Sequence, residues 1–129
     1  CNRSDAAAGV FACLLIRRDP NMTGARLALV AFVVADYDAA IEWFVAKLGF
    51  SLTQDSPLGA GKRWVVVAPP GGGASLLLAK AASEAQASAI GAQAGGRVGF
   101  FLYTDDFDRD HATMTAKGVK FLESTRDDR

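Results

Sequence analysis

The chain has 129 residues and a mass of 13.6 kDa, the size of one ordinary domain and too short for two. Half of the residues are hydrophobic and 22% are charged, enough apolar material for a core without covalent staples. The 14 basic and 14 acidic side chains cancel, and a pI near 6.8 lacks the basic surplus of a phosphate-tracking protein, so nucleic acid is excluded as an expected partner.

Cys1 and Cys13 both lie near the N-terminus, which is not the spread of a disulfide scaffold. With the single histidine far away they make a poor zinc pair. A reduced, cytoplasmic protein is expected. The apolar run Ala6–Ile16 is followed by Arg17-Arg18-Asp19-Pro20, whereas a signal peptide carries its charges ahead of the run. The run is also too short to span a bilayer, so no membrane partner is expected. Met22 stands just before the first clear strand. Residues 1–21 therefore read as an extension ahead of a natural start, with a packed N-terminal helix or strand as the alternative, and 22–129 as one domain.

Arg26–Val34 is rich in aliphatic and β-branched residues and predicts a strand buried on both faces. Asp36 offers an N-cap, and Tyr37, Ala40, Ile41, Phe44, Val45 and Leu48 recur at helical spacing up to Gly49. Trp43, on that helix, is expected in the core. Phe50–Gln54 predicts a short strand, Ser56–Gly61 a turn, Lys62–Ala68 a strand, Pro69–Gly73 a loop and Ser75–Ala79 a fourth strand. The first unit, about 26–80, is β-α-β-β-β.

The Ala-rich stretch 81–94 predicts a connecting helix ended by Gly95-Gly96. Beyond it, Arg97–Thr104 predicts a strand, Asp105-Asp106 sits where Asp36 did, and Phe107–Lys117 predicts a helix stopped by Gly118. Val119–Leu122 predicts a further strand. The order strand, Asp, amphipathic helix, Gly, strand is repeated, so 95–129 reads as a second, partial copy of the same unit. Thr125–Arg129 reads as the start of a loop.

The run VVADYDAAIEWFVAKLGFSL resembles the first module of the vicinal oxygen chelate superfamily, and YTDDFDRDHATMTAKGVKFLE resembles its second. Glyoxalase I, bleomycin-resistance proteins and extradiol dioxygenases belong there. The resemblance runs from Arg26 to about Glu123. It implies an α+β fold of paired βαβββ modules, a curled mixed sheet with helices outside and a ligand on its concave face. It also implies a homodimer, side by side or by exchange of modules. Against that pattern the second module is incomplete at the C-terminus, cut short or completed by a partner chain.

Metal-binding members carry a His, Gln or Glu on the first strand of each module, six or seven residues before the helix-opening Asp. Here those positions fall on Leu29 and Gly99. The Glu usual on the last strand of the first module is replaced within Ser75-Leu76-Leu77-Leu78, and its second-module equivalent would lie past Arg129. No metal and no cofactor are expected, because a divalent cation needs several converging donors.

Other candidate chemistry is thin. His111 shares a helical face with Phe107 and Met114 and reads as packing rather than as a general base. Asp105-Asp106 reads as helix capping. Gly71-Gly72-Gly73 lacks the Lys-Ser or Lys-Thr of a phosphate loop. The resemblance implies that the ligand-bearing strand face is the inner one, and alternation then puts Arg97, Gly99, Phe101 and Tyr103 inside, with either Trp64 or Arg63 facing in from the third strand. An aromatic cup with one or two arginines suits a planar or anionic small molecule. The expected function is metal-free binding of a small molecule. The alternatives are a metal-dependent lyase, isomerase or dioxygenase of the same superfamily, and a dimeric interaction module without ligand.

Overall fold

A computed structural model of the chain describes residues 2–3 and 13–121. Asn2–Arg3 (β1) and Cys13–Leu14 (β2) pair antiparallel, and residues 15–28 run on exposed and without regular structure. Residues 4–12 of the expected N-terminal extension lie outside the described residues. So do Cys1, Leu122 and the loop expected at Thr125–Arg129.

The main sheet is built from Leu29–Val34 (β3), Ser51–Gly59 (β4), Lys62–Ala68 (β5) and Ser75–Lys80 (β6). Their order is β3-β6-β5-β4, with β3 and β6 parallel and the other pairs antiparallel. The helix Tyr37–Glu42 (α1) lies between β3 and β4 in sequence. This is the predicted β-α-β-β-β unit, in an α+β fold with a mixed, open, curled sheet.

Asp36 starts α1, its Oδ2 accepting the Ala39 N–H at 2.8 Å. The expected helix to Leu48 is divided: Trp43–Lys47 widens into a π-type turn before Gly49 ends it at φ +74°. Phe44 and Phe50 from this region meet Val65 and Val67 of β5 and Leu76 and Leu78 of β6, with Tyr37 and Val34 completing the buried cluster. Phe44 occupies the core position. Trp43, its neighbour and roughly 100° further round the helix, stays 40% exposed with its ring edge-on to Phe44, contrary to the core place expected for it.

Four further differences from the sequence expectation have simple causes. β3 is buried on one face only, because Val30, Phe32 and Val34 point to the cluster under α1 while Leu29 on the other face is exposed. β4 runs on through the expected turn to Gly59; Pro57 is tolerated because β4 is an edge strand with a bulge there. The connecting helix is only Glu84–Ala89 (α2), capped by Ser83 and buried nowhere, so no packing extends it past Gly91. No strand forms over 97–104 or 119–121 among the described residues. Phe101 and Tyr103 are 73% and 87% exposed, so that stretch has neither a ladder nor a buried face to hold it extended.

The second helix of the predicted repeat does form. Asp106 caps Phe107–Ala116 (α3), accepting the Arg109 N–H at 3.0 Å, which is the capping role expected of it. Gly118 at φ +91° closes α3, with Val119 N–H on the Met114 carbonyl and Gly118 N–H on the Thr115 carbonyl, both 3.0 Å. His111 is stacked between Phe107 (5.4 Å) and Phe121 (4.6 Å), a packing residue as expected.

Candidate functional site

The hydrophobic cluster covers one face of the sheet, and the face turned away from α1 is the candidate site. Alternation along β5 resolves which of Arg63 and Trp64 looks that way. Val65 and Val67 belong to the cluster, so Arg63 shares their face and Trp64 points to the other.

Arg63 confirms this by its partners. Its guanidinium bonds Asp55 Oδ1 (3.1 Å) and Oδ2 (2.6 Å) on β4 and Asp38 Oδ1 (2.9 Å) on α1. It also lies 5.2 Å from the Tyr37 ring centre, while its backbone N–H donates to Tyr37 Oη (3.1 Å). This arginine ties α1 to β4 and β5. The hydrogen bonds from Arg63 hold the Asp55 carboxyl below its ordinary range, against a smaller opposing effect of desolvation. A carboxylate with a depressed folded-state pKa stabilises the fold above its unfolded value, about 3.9, and loses that contribution as pH falls through the folded value. Denaturant midpoints measured from neutral pH downward should therefore fall more steeply below about pH 4 in the wild type than in Asp55→Asn. Parallel curves would show the pair to be idle.

Trp64 is half-buried on the opposite face, and its indole Nε1–H donates to Gln54 Oε1 at 2.8 Å. Gln54 pairs with Val66, Val66 with Leu77 and Leu77 with Ala31, which makes one row across all four strands on this face. The adjacent pair is Leu29 opposite Ser75. Leu29 is one first-module position where the resemblance would put a metal ligand, and the other falls within Ser75–Leu78, a run of one hydroxyl and three leucines. Among the described residues no three His, Cys, Asp or Glu side chains converge anywhere. Among the described residues, those on this face do not make a donor set for a divalent cation.

Arg97 lies at the other end of this region. Together with Val30, Ala31, Phe32, Gln93 and Phe100 it lines an open groove of about 370 Å³ along β3. Trp64 is two strands away, roughly 10 Å at ordinary strand spacing. Phe101 and Tyr103 follow in an exposed stretch outside the sheet. The five residues singled out from sequence are thus dispersed: Trp64 on the face, Arg97 at its edge, Phe101 and Tyr103 beyond it, Arg63 behind it.

Two polar residues escape a sequence reading. Gln54 meets Trp64 only because β4 carries a bulge between Leu52 and Gln54, and no residue pattern announces that shift. Gln93 bonds both backbone groups of Val33, accepting its N–H (2.9 Å) and donating to its carbonyl (2.7 Å). The available signal was its isolation as the one polar side chain between Gly91 and Gly96.

On the α3 side, Arg109 pairs with Asp105 (3.0 Å) and Asp110 (2.9 Å), and the Thr104 hydroxyl also bonds Asp110. Bonds from Arg109 and then Thr104 hold the Asp110 carboxyl low. Arg109 and Asp105 are exposed here and Asp110 is half-buried.

One βαβββ module backed by a helix defines the class. The model of the Glyoxalase/Bleomycin resistance protein/Dioxygenase superfamily matches residues 26–129, and the chain belongs to this superfamily. A protein of Shewanella frigidimarina (strain NCIMB 400), itself described as uncharacterized, is 52% identical over 95 residues, 72% of this chain and 70% of that one. Among solved structures, TnmS3, an antibiotic binding protein from Streptomyces sp. CB03234, is 30% identical, with a TM-score of 0.60 over 81% of this chain and 82% of that one. A superfamily member from Sphaerobacter thermophilus DSM 20745 is 29% identical, with a TM-score of 0.61 over 77% and 76%. Among the described residues no helix is long and apolar enough to cross a membrane.

Proposed function

We propose that this chain binds a planar aromatic small molecule on the sheet face away from α1, without a metal ion. The observation that carries the reading is the chemistry of that face. It presents the Trp64 ring fixed by Gln54, Leu77 and Ala31 beyond the buried Val66, and the Ser75 hydroxyl, with no imidazole or carboxylate among them. An aromatic platform with a few hydrogen-bonding groups suits stacking and orientation, and leaves nothing to move a proton. Arg97 at the open edge supplies a cation for an anionic substituent. Phe101 and Tyr103 are proposed to join from the neighbouring stretch. The likeness to an antibiotic binding protein supports the same reading.

Homodimerisation, with or without exchange of modules, and a cytoplasmic location belong to this proposal, and sedimentation velocity tests the first. The binding itself is tested by titrating a panel of planar aromatic carboxylates into a Trp43→Phe variant with chelator present. Trp64 is then the sole indole, and saturable quenching of its emission is expected. A flat response across the panel would overturn the reading.

A further inference from the structure

The edge of β3 already binds an amide. Ser75 N–H bonds the Ala28 carbonyl and Ala81 N–H bonds the Val34 carbonyl, both at 2.9 Å, so the even-numbered residues of β3 turn their backbone groups toward β6. The N–H and C=O groups of Leu29, Ala31 and Val33 point the other way, since neighbouring residues of a strand alternate. At Val33 both groups are taken by the Gln93 carboxamide, which accepts the N–H at 2.9 Å and donates to the carbonyl at 2.7 Å. A carboxamide carries the donor and acceptor of a peptide group, so this edge holds one amide at two points.

Two residues earlier, Ala31 presents the same pair of groups beside the groove of about 370 Å³ that it lines, and β3 has β6 as its one strand neighbour among the described residues. Val30, Phe32 and Phe100 give the groove apolar walls, the two rings 5.1 Å apart. Arg97 is the one charged residue in the lining. Arg63 and Arg109 are each held by two carboxylates, whereas Arg97 makes no ion pair among the described residues. A guanidinium without a counter-charge, next to an apolar wall, is suited to an incoming carboxylate.

We propose that this groove is a second binding site, for an acylated amino acid. Its amide pairs with the Ala31 backbone, its carboxylate with Arg97, and its apolar side chain lies against Val30, Phe32 and Phe100. The volume is at the lower end of the roughly 300–1,000 Å³ of small-molecule sites, which suits one amide and one side chain. No carboxylate lines the groove, so a cationic ligand gains nothing there. The end of a peptide offers the same chemistry, a last amide followed by a carboxylate. Arg97 is shared with the ligand face proposed above, but the groove stands whether or not Trp64 holds a ring.

Nuclear magnetic resonance of the nitrogen-15-labelled full chain, titrated with N-acetyl-L-phenylalanine, tests the site. Saturable shifts of the Ala31 amide and the Arg97 side-chain N–H are expected, with the Trp64 indole N–H unmoved. The methyl ester lacks the charge and phenylpropanoate lacks the amide, and each is expected to bind at least about tenfold more weakly. Arg97→Gln is expected to weaken the acid by a similar factor and to leave the ester unchanged, which a general disturbance of the groove would not do. Equal affinity for the three compounds would overturn the proposal, because apolar contact alone would then hold them. A Trp64 shift in step with Ala31 would overturn it too, since the ligand would then lie on the ring face, and so would the lack of any saturable shift. A hexapeptide ending in phenylalanine names the source, and either result supports the site. Affinity equal to that of the acetylated amino acid assigns a peptide end, and binding about tenfold weaker assigns the free acylated amino acid.

Discussion

Leu78→Ala is expected to lower stability by about 3–4 kcal/mol, in the upper half of the range for a buried leucine truncation. Leu78 has no exposed surface and lies in the middle of β6, opposite Val65, which is equally buried. Its other neighbours are held by the backbone ladder on the strands and by the aromatic contacts of Phe44 with Phe50 (5.4 Å) and Phe32 (5.9 Å) on the helix side. Those groups cannot collapse into the space a leucine leaves, so the cavity persists and adds to the lost transfer energy. Domains of this size hold only about 5–15 kcal/mol in total, and the melting midpoint should drop by roughly 10–20 °C. Leu58→Ala, at an exposed position on β4, is the control and should stay within about 0.5 kcal/mol. Urea denaturation of the two variants decides the matter. A Leu78 loss below about 1 kcal/mol would mean that the cluster under α1 is not the core.

The second large effect concerns ligand affinity. Trp64→Ala is expected to weaken binding of a planar aromatic ligand by about 30-fold or more, because stacking area and the excluded water are lost together. Arg63→Ala, one residue away, should leave affinity near the wild-type value and instead lower thermal stability. The arginine faces α1 and is occupied by Asp38 and Asp55, so it meets the fold and not the ligand. Gln54→Ala should fall between, costing a few-fold in affinity by freeing the indole to rotate. Calorimetric titration of the three variants separates the roles. Equal losses for Trp64 and Arg63 would contradict the assignment of faces.

The order of elements was legible wherever local chemistry punctuates the chain. Asp36 and Asp106 cap their helices, Gly49 and Gly118 stop them, and the Val- and Leu-rich runs between are strands. What stayed hidden depends on contacts between distant residues. Trp64 and Arg63 are both plausible at an inner position, and only the packing of Val65 and Val67 under Phe44 decides between them. The bulge that brings Gln54 to Trp64 is a matter of register. Arg97–Thr104 shows the opposite failure. Its composition says strand, but a strand needs a neighbour's ladder, and at Val33 that ladder is occupied by Gln93. Helix 81–94 was overestimated for a related reason: alanine propensity alone does not hold a helix that buries nothing.

Metal dependence separates the proposed binder from the catalytic members of the superfamily. The central claim is that the face between Trp64 and the edge of β3 recognises its ligand without a cation, as the Leu29–Ser75 pair implies. The most direct measurement is calorimetric titration of the aromatic carboxylate panel into metal-stripped protein, repeated after incubation with zinc, iron, manganese and nickel, with metal content read by elemental analysis. The account predicts one affinity throughout and no metal retained in proportion to the chain. Binding or turnover that appears only with a metal, held one to one, would contradict it.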